Sequence, residues 1–356
     1  MNQEKKDKKI NNLISLFTSG AIEDCKKETL KVLEIYPNEP FLFNLLGVTH
    51  AETNAFEDAI TYYKKATVLN PEYFEVYNNM GVAYNHWKKP ELAVESLRQA
   101  IKTNPNYAEA FNNLGNSQKE LLDYEDAIKS YEKAIKIEPD YIDALCNLGI
   151  VLGVLEKYLE AEGAFKKALA LEPSRKQTLY LYGSVLTKSK KLEEAKREFN
   201  SILIIDPDFA EAHNGLGLAN IELKNFYEAS ENFRKAIDIK NDYLDAIKNY
   251  GYTLQQNKQY EEAIKIFEKA LRLDNTCLRA YNNLAKAHLD SGTVTKAKQI
   301  FYDGLKIDVD YLPILKNLVE VCILLRQFSE AENIISSMLE KDPQSAEAYN
   351  ALGSIY

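Results

Sequence analysis

The sequence has 356 residues, of which 46% are apolar and 27% charged, and its net charge is −9 with an isoelectric point near 5.3. Such an acidic chain lacks the lysine and arginine excess that neutralises phosphates, which argues against partners that are nucleic acids or anionic membranes. The charged first ten residues lack the apolar region of a secretory signal, and the longest apolar run, Leu148 to Leu155, is too short to span a bilayer.

A period of 34 residues runs through most of the chain, which is the signature of a repeat protein. Proline recurs at this interval at Pro37, Pro71, Pro105, Pro139, Pro173 and Pro207. Alanine recurs at Ala59, Ala93, Ala127, Ala161, Ala195, Ala229, Ala263, Ala297 and Ala331. Glycine recurs at Gly47, Gly81, Gly115, Gly149, Gly183, Gly217 and Gly251. Aromatic residues recur at Tyr63, Tyr131, Phe165, Phe199, Phe233, Phe267 and Phe301.

The spacing within one period predicts two helices. In residues 108–141, Phe111 and Leu114 lie three positions apart on a first helix, and Ala127 and Tyr131 lie four positions apart on a second. The recurring proline ends the second helix. A single hairpin cannot bury both apolar stripes, so successive hairpins must stack on one another.

This pattern resembles the tetratricopeptide repeat, most clearly in segments 107–116 and 124–140. The resemblance implies an all-α, right-handed superhelical solenoid of antiparallel helical hairpins. It also implies that the first helices line a concave face and the second helices a convex face. Members of the family bind peptides or partner proteins chiefly in the concave groove.

The period predicts a polar tail followed by ten complete repeats and part of an eleventh. The tail is 1–5, the repeats are 6–39, 40–73, 74–107, 108–141, 142–175, 176–209, 210–243, 244–277, 278–311 and 312–345, and the first helix of an eleventh repeat is 346–356. The first repeat has lost several packing residues and is interpreted as a cap. Because the last helix lacks its partner, we expect the natural chain to continue. We also expect slightly different curvature or looser packing beyond about residue 240, where the regular prolines are missing.

Asparagine recurs at position 6 of the repeats and is the candidate peptide-binding series. Its members are Asn79, Asn113, Asn147, Asn249, Asn283 and Asn317. The series resembles the asparagine ladder in the repeat arm of O-linked N-acetylglucosamine transferases, where amides would pair with a peptide backbone. The alternative, that asparagine is a general feature of these repeats, stays open. A peptide-binding role predicts that replacing Asn79, Asn113 and Asn147 by alanine weakens binding and leaves thermal stability nearly unchanged.

A second binding mode of the family, a clamp for the C-terminal carboxylate of chaperones, is disfavoured. The clamp needs asparagine four residues after a position-5 lysine. Here Lys248 is followed by Tyr252, and Lys316 is followed by Glu320.

The sequence predicts no catalytic residue, metal site or cofactor. The four histidines have no metal-ligand spacing, and no glycine-rich phosphate loop is present. The cysteines are far apart in sequence and are interpreted as reduced, which fits a cytoplasmic protein: Cys25, Cys146, Cys277 and Cys322.

Three functions fit these observations. The favoured one is a non-catalytic scaffold that binds a protein or peptide in its concave groove. The alternative is the substrate-recruiting arm of a larger glycosyltransferase or sulfotransferase whose catalytic domain lies beyond residue 356. The third is a structural role in assembling a complex.

Overall fold

In a computed structural model, which describes residues 3–355, every regular element is an α-helix, so the predicted all-α fold is confirmed. The helices are α1 (Gln3–Thr18), α2 (Ile22–Ile35), α3 (Pro40–Glu52), α4 (Phe56–Leu69), α5 (Phe74–His86), α6 (Pro90–Thr103), α7 (Ala108–Glu120), α8 (Tyr124–Ile137), α9 (Ile142–Val154), α10 (Tyr158–Leu171), α11 (Lys176–Lys188), α12 (Leu192–Ile205), α13 (Ala210–Glu222), α14 (Phe226–Ile239), α15 (Leu244–Gln256), α16 (Tyr260–Leu273), α17 (Leu278–Asp290), α18 (Val294–Leu305), α19 (Leu312–Leu324), α20 (Phe328–Lys341) and α21 (Ala346–Gly353).

The chain divides into two compact parts, an N-terminal module (Met1–Leu181) and a C-terminal module (Tyr182–Tyr356). Within each module, a first (odd-numbered) helix packs on the second (even-numbered) helix that follows it, and this second helix packs on the next first helix. Successive first helices also contact one another. Successive second helices make no comparable contact in the described part of the chain. The first helices therefore line the concave face of each module.

The core of most repeats is built from an alanine and an aromatic ring on the second helix and a glycine on the first. Ala127 and Tyr131 are fully buried. A Cβ atom placed on Gly115 would lie 2.5 Å from Cε1 of Tyr131, far inside van der Waals contact. The glycine is thus required because the ring occupies the space that any side chain would need.

The repeats beyond residue 240 keep buried cores, but α19 and α20 of the tenth repeat make fewer close backbone contacts than the helix pairs of the middle repeats, in line with the looser packing expected there. Phe301 stays fully buried although Ala285 replaces the usual glycine, and Val319 is only 1% exposed. One cluster of buried residues extends from Leu254 to Ala348. Helix α18 is also shorter than its equivalents, with 12 residues, whereas α16 and α20 have 14.

A left-handed residue joins the two helices of each of the ten complete repeats, and in eight of them no glycine indicated it in the sequence. Eight such residues are not glycine: Asn54, Lys88, Leu122, Glu156, Lys190, Lys224, Lys258 and Arg326. After Leu122 (φ 64°), the backbone N–H of Asp123 donates to the carbonyl of Gln118 at 2.9 Å. This bond satisfies a carbonyl at the end of the first helix and fixes the direction in which the second begins.

None of the helices in the described part of the chain is both long and apolar enough to cross a membrane.

Candidate functional site

The predicted asparagine series lies on six first helices, three in each module. Asn79, Asn113 and Asn147 lie on α5, α7 and α9 of the N-terminal module. Asn249, Asn283 and Asn317 lie on α15, α17 and α19 of the C-terminal module. All are half-buried except Asn249, which is 8% exposed.

Five of these six residues donate an amide N–H to the position-5 asparagine of the preceding repeat. We call the resulting pairs the amide ladder. The pairs and their Nδ2–Oδ1 distances are Asn79–Asn44 (3.1 Å), Asn113–Asn78 (2.9 Å), Asn147–Asn112 (3.0 Å), Asn249–Asn214 (3.4 Å) and Asn317–Asn282 (2.7 Å). The ladder therefore joins neighbouring repeats, with partners 35 residues apart in sequence.

Where the ladder is interrupted, positions 5 and 6 of the pair both lose asparagine, except at Asn283. Leu45 occupies position 6 of its repeat, and Ile10 stands 35 residues earlier at position 5. Leu181 is matched in the same way by Cys146. Asn283 is matched by Lys248, which offers no acceptor, and instead accepts a bond from its neighbour Asn282 at 3.4 Å.

Three of the five accepting asparagines, Asn78, Asn112 and Asn214, are buried. Asn78 is 1% exposed, and its Nδ2 also donates to Oε1 of Glu109 at 3.0 Å. The hydroxyl of Tyr107 donates to the second oxygen of Glu109 at 2.8 Å. Loss of the Asn113 donor would leave Oδ1 of Asn78 buried and unpaired, which is costly. Stability is therefore expected to depend on Asn113, contrary to the expectation from sequence.

Two open cavities lie along the concave face of the N-terminal module. The α3–α5 cavity has a volume of about 300 Å³ and is lined by Val48, Ala51, Glu52, Asn54, Phe56, Tyr63, Asn79, Val82, Ala83 and His86. The α5–α9 cavity has a volume of about 420 Å³ and is lined by Val82, Asn85, His86, Lys88, Asn113, Asn116, Lys119, Glu120 and Asn147. Because Val82 and His86 line both, the cavities form one continuous surface, which brings together Asn79, Asn113 and Asn147.

The ladder leaves part of each amide available on this surface. Asn113 and Asn147 each use one N–H toward the preceding repeat, and their own Oδ1 atoms accept no bond from residues 3–355. One ladder bond fixes the plane of each amide, so the remaining oxygen and N–H have a defined direction. This surface can pair with the donors and acceptors of a peptide backbone.

Other lining residues of the cavities were not found from the sequence. Val82 occupies position 9 of its repeat, Asn85 and Lys119 occupy position 12, and Lys88 is the left-handed residue of its turn. A signal was available, because positions 9 and 12 lie one and two turns after position 5 on the same helix face. Lys88 lines the cavity because of the turn geometry, which no residue type in the sequence indicates.

Several buried or half-buried tyrosines have raised pKa values, so their loss of a proton at alkaline pH is less favourable in the folded chain than in the unfolded one. Burial raises the pKa of Tyr141 to about 12, and the neighbouring carboxylates of Glu109 and Asp143 act in the same direction. Burial also raises the pKa of Tyr63, Tyr107, Tyr131 and Tyr302.

The free energy of unfolding is expected to fall as the pH rises from 10 to 12. The unfolded tyrosines lose their protons near pH 10, before the folded ones do, so stability present below pH 10 is lost above it. In the Tyr141→Phe variant, the free energy of unfolding should fall by about 1 kcal/mol less than in wild type. This value is reduced to allow for the partial exposure of Tyr141. Urea unfolding at pH 7 and pH 11 measures the effect; an equal loss in wild type and variant would contradict it.

Burial shifts the pKa of three cysteine and two histidine side chains. Burial raises the pKa of the Cys25, Cys146 and Cys322 thiols, which disfavours the reactive thiolate. Burial lowers the pKa of His50 and His288. No group of three or more histidine, cysteine, aspartate or glutamate side chains within residues 3–355 is arranged to hold a metal ion.

Models of known protein families match most of the repeats. Models described as the tetratricopeptide repeat match 74–107, 108–141, 130–163, 155–219, 210–243, 254–311 and 288–355, and a model described as the TPR repeat matches 47–85. These matches together cover 47–243 and 254–355. The chain is a tetratricopeptide repeat protein.

Solved structures share the architecture of this tetratricopeptide repeat protein. A tetratricopeptide repeat protein from Parabacteroides merdae has a TM-score of 0.57 and 18% identity, with 70% of this chain and 98% of that one covered. Yeast Tom70 has a TM-score of 0.53 and 12% identity, with 100% and 96% covered. YrrB, described as a TPR protein with an unusual peptide-binding site, has a TM-score of 0.44 and 26% identity, with 52% and 95% covered. No curated protein matches the sequence. The fold is compatible with protein binding.

Proposed function

We propose that this chain binds an extended protein or peptide segment on the concave face of its N-terminal module and does not itself catalyse a reaction. The observation that carries the proposal is the continuous surface of the two cavities. On it, the apolar side chains of Val48 and Val82 lie beside the oriented amides of Asn79, Asn113 and Asn147.

The chemistry of this surface suits a peptide backbone. Every residue of an extended chain other than proline carries one N–H donor and one carbonyl acceptor, and an asparagine amide offers both complements. Val48 and Val82 provide apolar area for side chains of the ligand. Because the amides are held by the ladder before a ligand arrives, less conformational entropy is lost on binding.

A non-catalytic role is supported by the state of the candidate nucleophiles. The buried thiols of Cys25, Cys146 and Cys322 have raised pKa values, and none of them lines either cavity. The histidine that does line both cavities, His86, is exposed and stacks on Phe56 with the ring centroids 6.4 Å apart. We therefore assign the surface to recognition.

A charge placed on the floor of the surface is the direct test. Peptides selected from a random phage library on the immobilised chain should bind the Val82→Glu variant at least tenfold more weakly, because the new carboxylate lies between the two cavities. The matched control is Val68→Glu on the second helix α4, where the side chain is 80% exposed. Selected peptides that bind wild type and Val82→Glu equally would place the site elsewhere.

We propose as an alternative that the same surface recruits substrates for a glycosyltransferase or sulfotransferase domain in a longer protein. The amide series supports this reading only by resemblance. Reading the coding sequence beyond residue 356 tests this alternative. A catalytic domain in the same reading frame would support a substrate-recruiting role, and a stop codon after a capping helix would contradict it. For either function we expect a cytoplasmic location, because the separated cysteines fit a reducing compartment.

A further inference from the structure

We propose that the bound segment carries one aspartate or glutamate whose carboxylate enters the α5–α9 cavity and pairs with Lys88 and Lys119. A backbone N–H beside this residue donates to Oδ1 of Asn85. This inference rests on the proposed function, and it names the ligand feature that the concave surface selects.

The first observation is a fixed acceptor without a donor. Nδ2 of Asn85 donates to Oγ of Ser117 at 2.9 Å, and that hydroxyl donates to the carbonyl of Asn113 at 3.0 Å. The amide of Asn85 is thereby held in one orientation. Its Oδ1 is buried and has no hydrogen-bond partner among the residues that the structure describes. Since buried acceptors are normally paired, this atom is suited to an N–H of the ligand.

The second observation is the charge of the cavity lining. Lys88 and Lys119 both line the cavity, and neither makes an ion pair with any described residue. The left-handed turn conformation of Lys88, with φ 59°, places it at the end of α5. A carboxylate between the two ammonium groups would form charge-assisted hydrogen bonds with them.

The third observation sets the number of acidic residues. Glu120 lines the same cavity and is exposed. Its charge attracts the two lysines and repels a second carboxylate of the ligand. The cavity therefore fits a single acidic residue in an otherwise neutral segment, and it disfavours a run of acids. A doubly charged phosphate is disfavoured for the same reason.

Three synthetic libraries of fluorescein-labelled heptapeptides test this inference. The central residue is fixed as glutamate, glutamine or phosphoserine, and the other positions are random neutral residues. Fluorescence anisotropy with the full chain should give an apparent Kd at least fivefold lower for the glutamate library than for the glutamine library. Lys119→Glu and, independently, Lys88→Glu should abolish this difference. Lys133→Glu, an equal charge change on the second helix α8, should preserve it.

Each other result overturns the inference in a recognisable way. Equal binding of the glutamate and glutamine libraries contradicts the acidic anchor while leaving the peptide-binding function intact. Tighter binding of the phosphoserine library replaces the carboxylate by a phosphate. Absence of binding by all three libraries contradicts both the anchor and the proposed function. Circular dichroism of the lysine variants checks that they are folded, and two separate variants keep the result decisive if one of them is not.

Discussion

Replacing Phe199 by alanine is expected to lower the free energy of unfolding of the C-terminal module by about 3–5 kcal/mol. The ring is 1% exposed and lies between two glycines of successive first helices. A Cβ atom on Gly183 would lie 2.7 Å from Cε1 of Phe199, and a Cβ atom on Gly215 would lie 2.6 Å from the same atom. Because both glycines lack side chains, nothing nearby can fill the space that the ring leaves.

Urea denaturation followed by circular dichroism measures the change, and hydrogen exchange locates it. The loss of protection should be greatest in α12 and α13, because a repeat array can unfold locally. Tyr227→Ala is the matched control, since it removes an aromatic ring that is 71% exposed on the second helix α14. A shift for Phe199→Ala no larger than that of this control would show that the ring does not hold the repeats together.

The second large effect is expected in a double-mutant cycle on one rung of the amide ladder. Asn113→Leu should destabilise the N-terminal module by about 1–3 kcal/mol, because Oδ1 of Asn78 stays buried without its donor. Asn78→Ile should also destabilise, since Glu109 loses the bond from Nδ2 of Asn78. The double variant places isoleucine at position 5 and leucine at position 6, the pair that the chain itself uses at Ile10 and Leu45.

The double variant is expected to be more stable than the sum of the two single changes predicts, by about 1–2 kcal/mol. The reason is that both polar partners are removed together, so no buried group is left unpaired. Urea unfolding of the four proteins gives the coupling energy. Strict additivity would mean that the two asparagines act independently and that the ladder bond contributes nothing specific.

This cycle also separates stability from recognition. The double variant of Asn78→Ile and Asn113→Leu replaces both amides of the rung by packed apolar side chains. It should remain folded and lose affinity for the selected peptides. Retained affinity would assign Asn113 to the stacking of repeats alone, which is the second of the two interpretations that the sequence left open. Simple alanine replacement cannot make this distinction, because it affects folding and binding together.

The sequence by itself determined the fold class. The period of 34 residues, the helical spacing of Phe111 and Leu114 and the small residues at Gly115 and Ala127 predict stacked helix pairs. This prediction succeeds because each repeat packs only on its neighbours. The periodic pattern within one repeat is therefore sufficient to predict most of the packing. The burial of Tyr131 against Gly115 is one example.

The tertiary structure alone decided which partners the recurring asparagines have. Asn113 meets Asn78 only after two repeats have stacked, and side chains 35 residues apart share no helix turn from which the contact could be read. The α5–α9 cavity could not be predicted either, because the position of Lys88 in its lining depends on a left-handed turn at a residue other than glycine. Helical periodicity reports which face a residue lies on, whereas its partners on the neighbouring helix depend on the rotation and register of the stack.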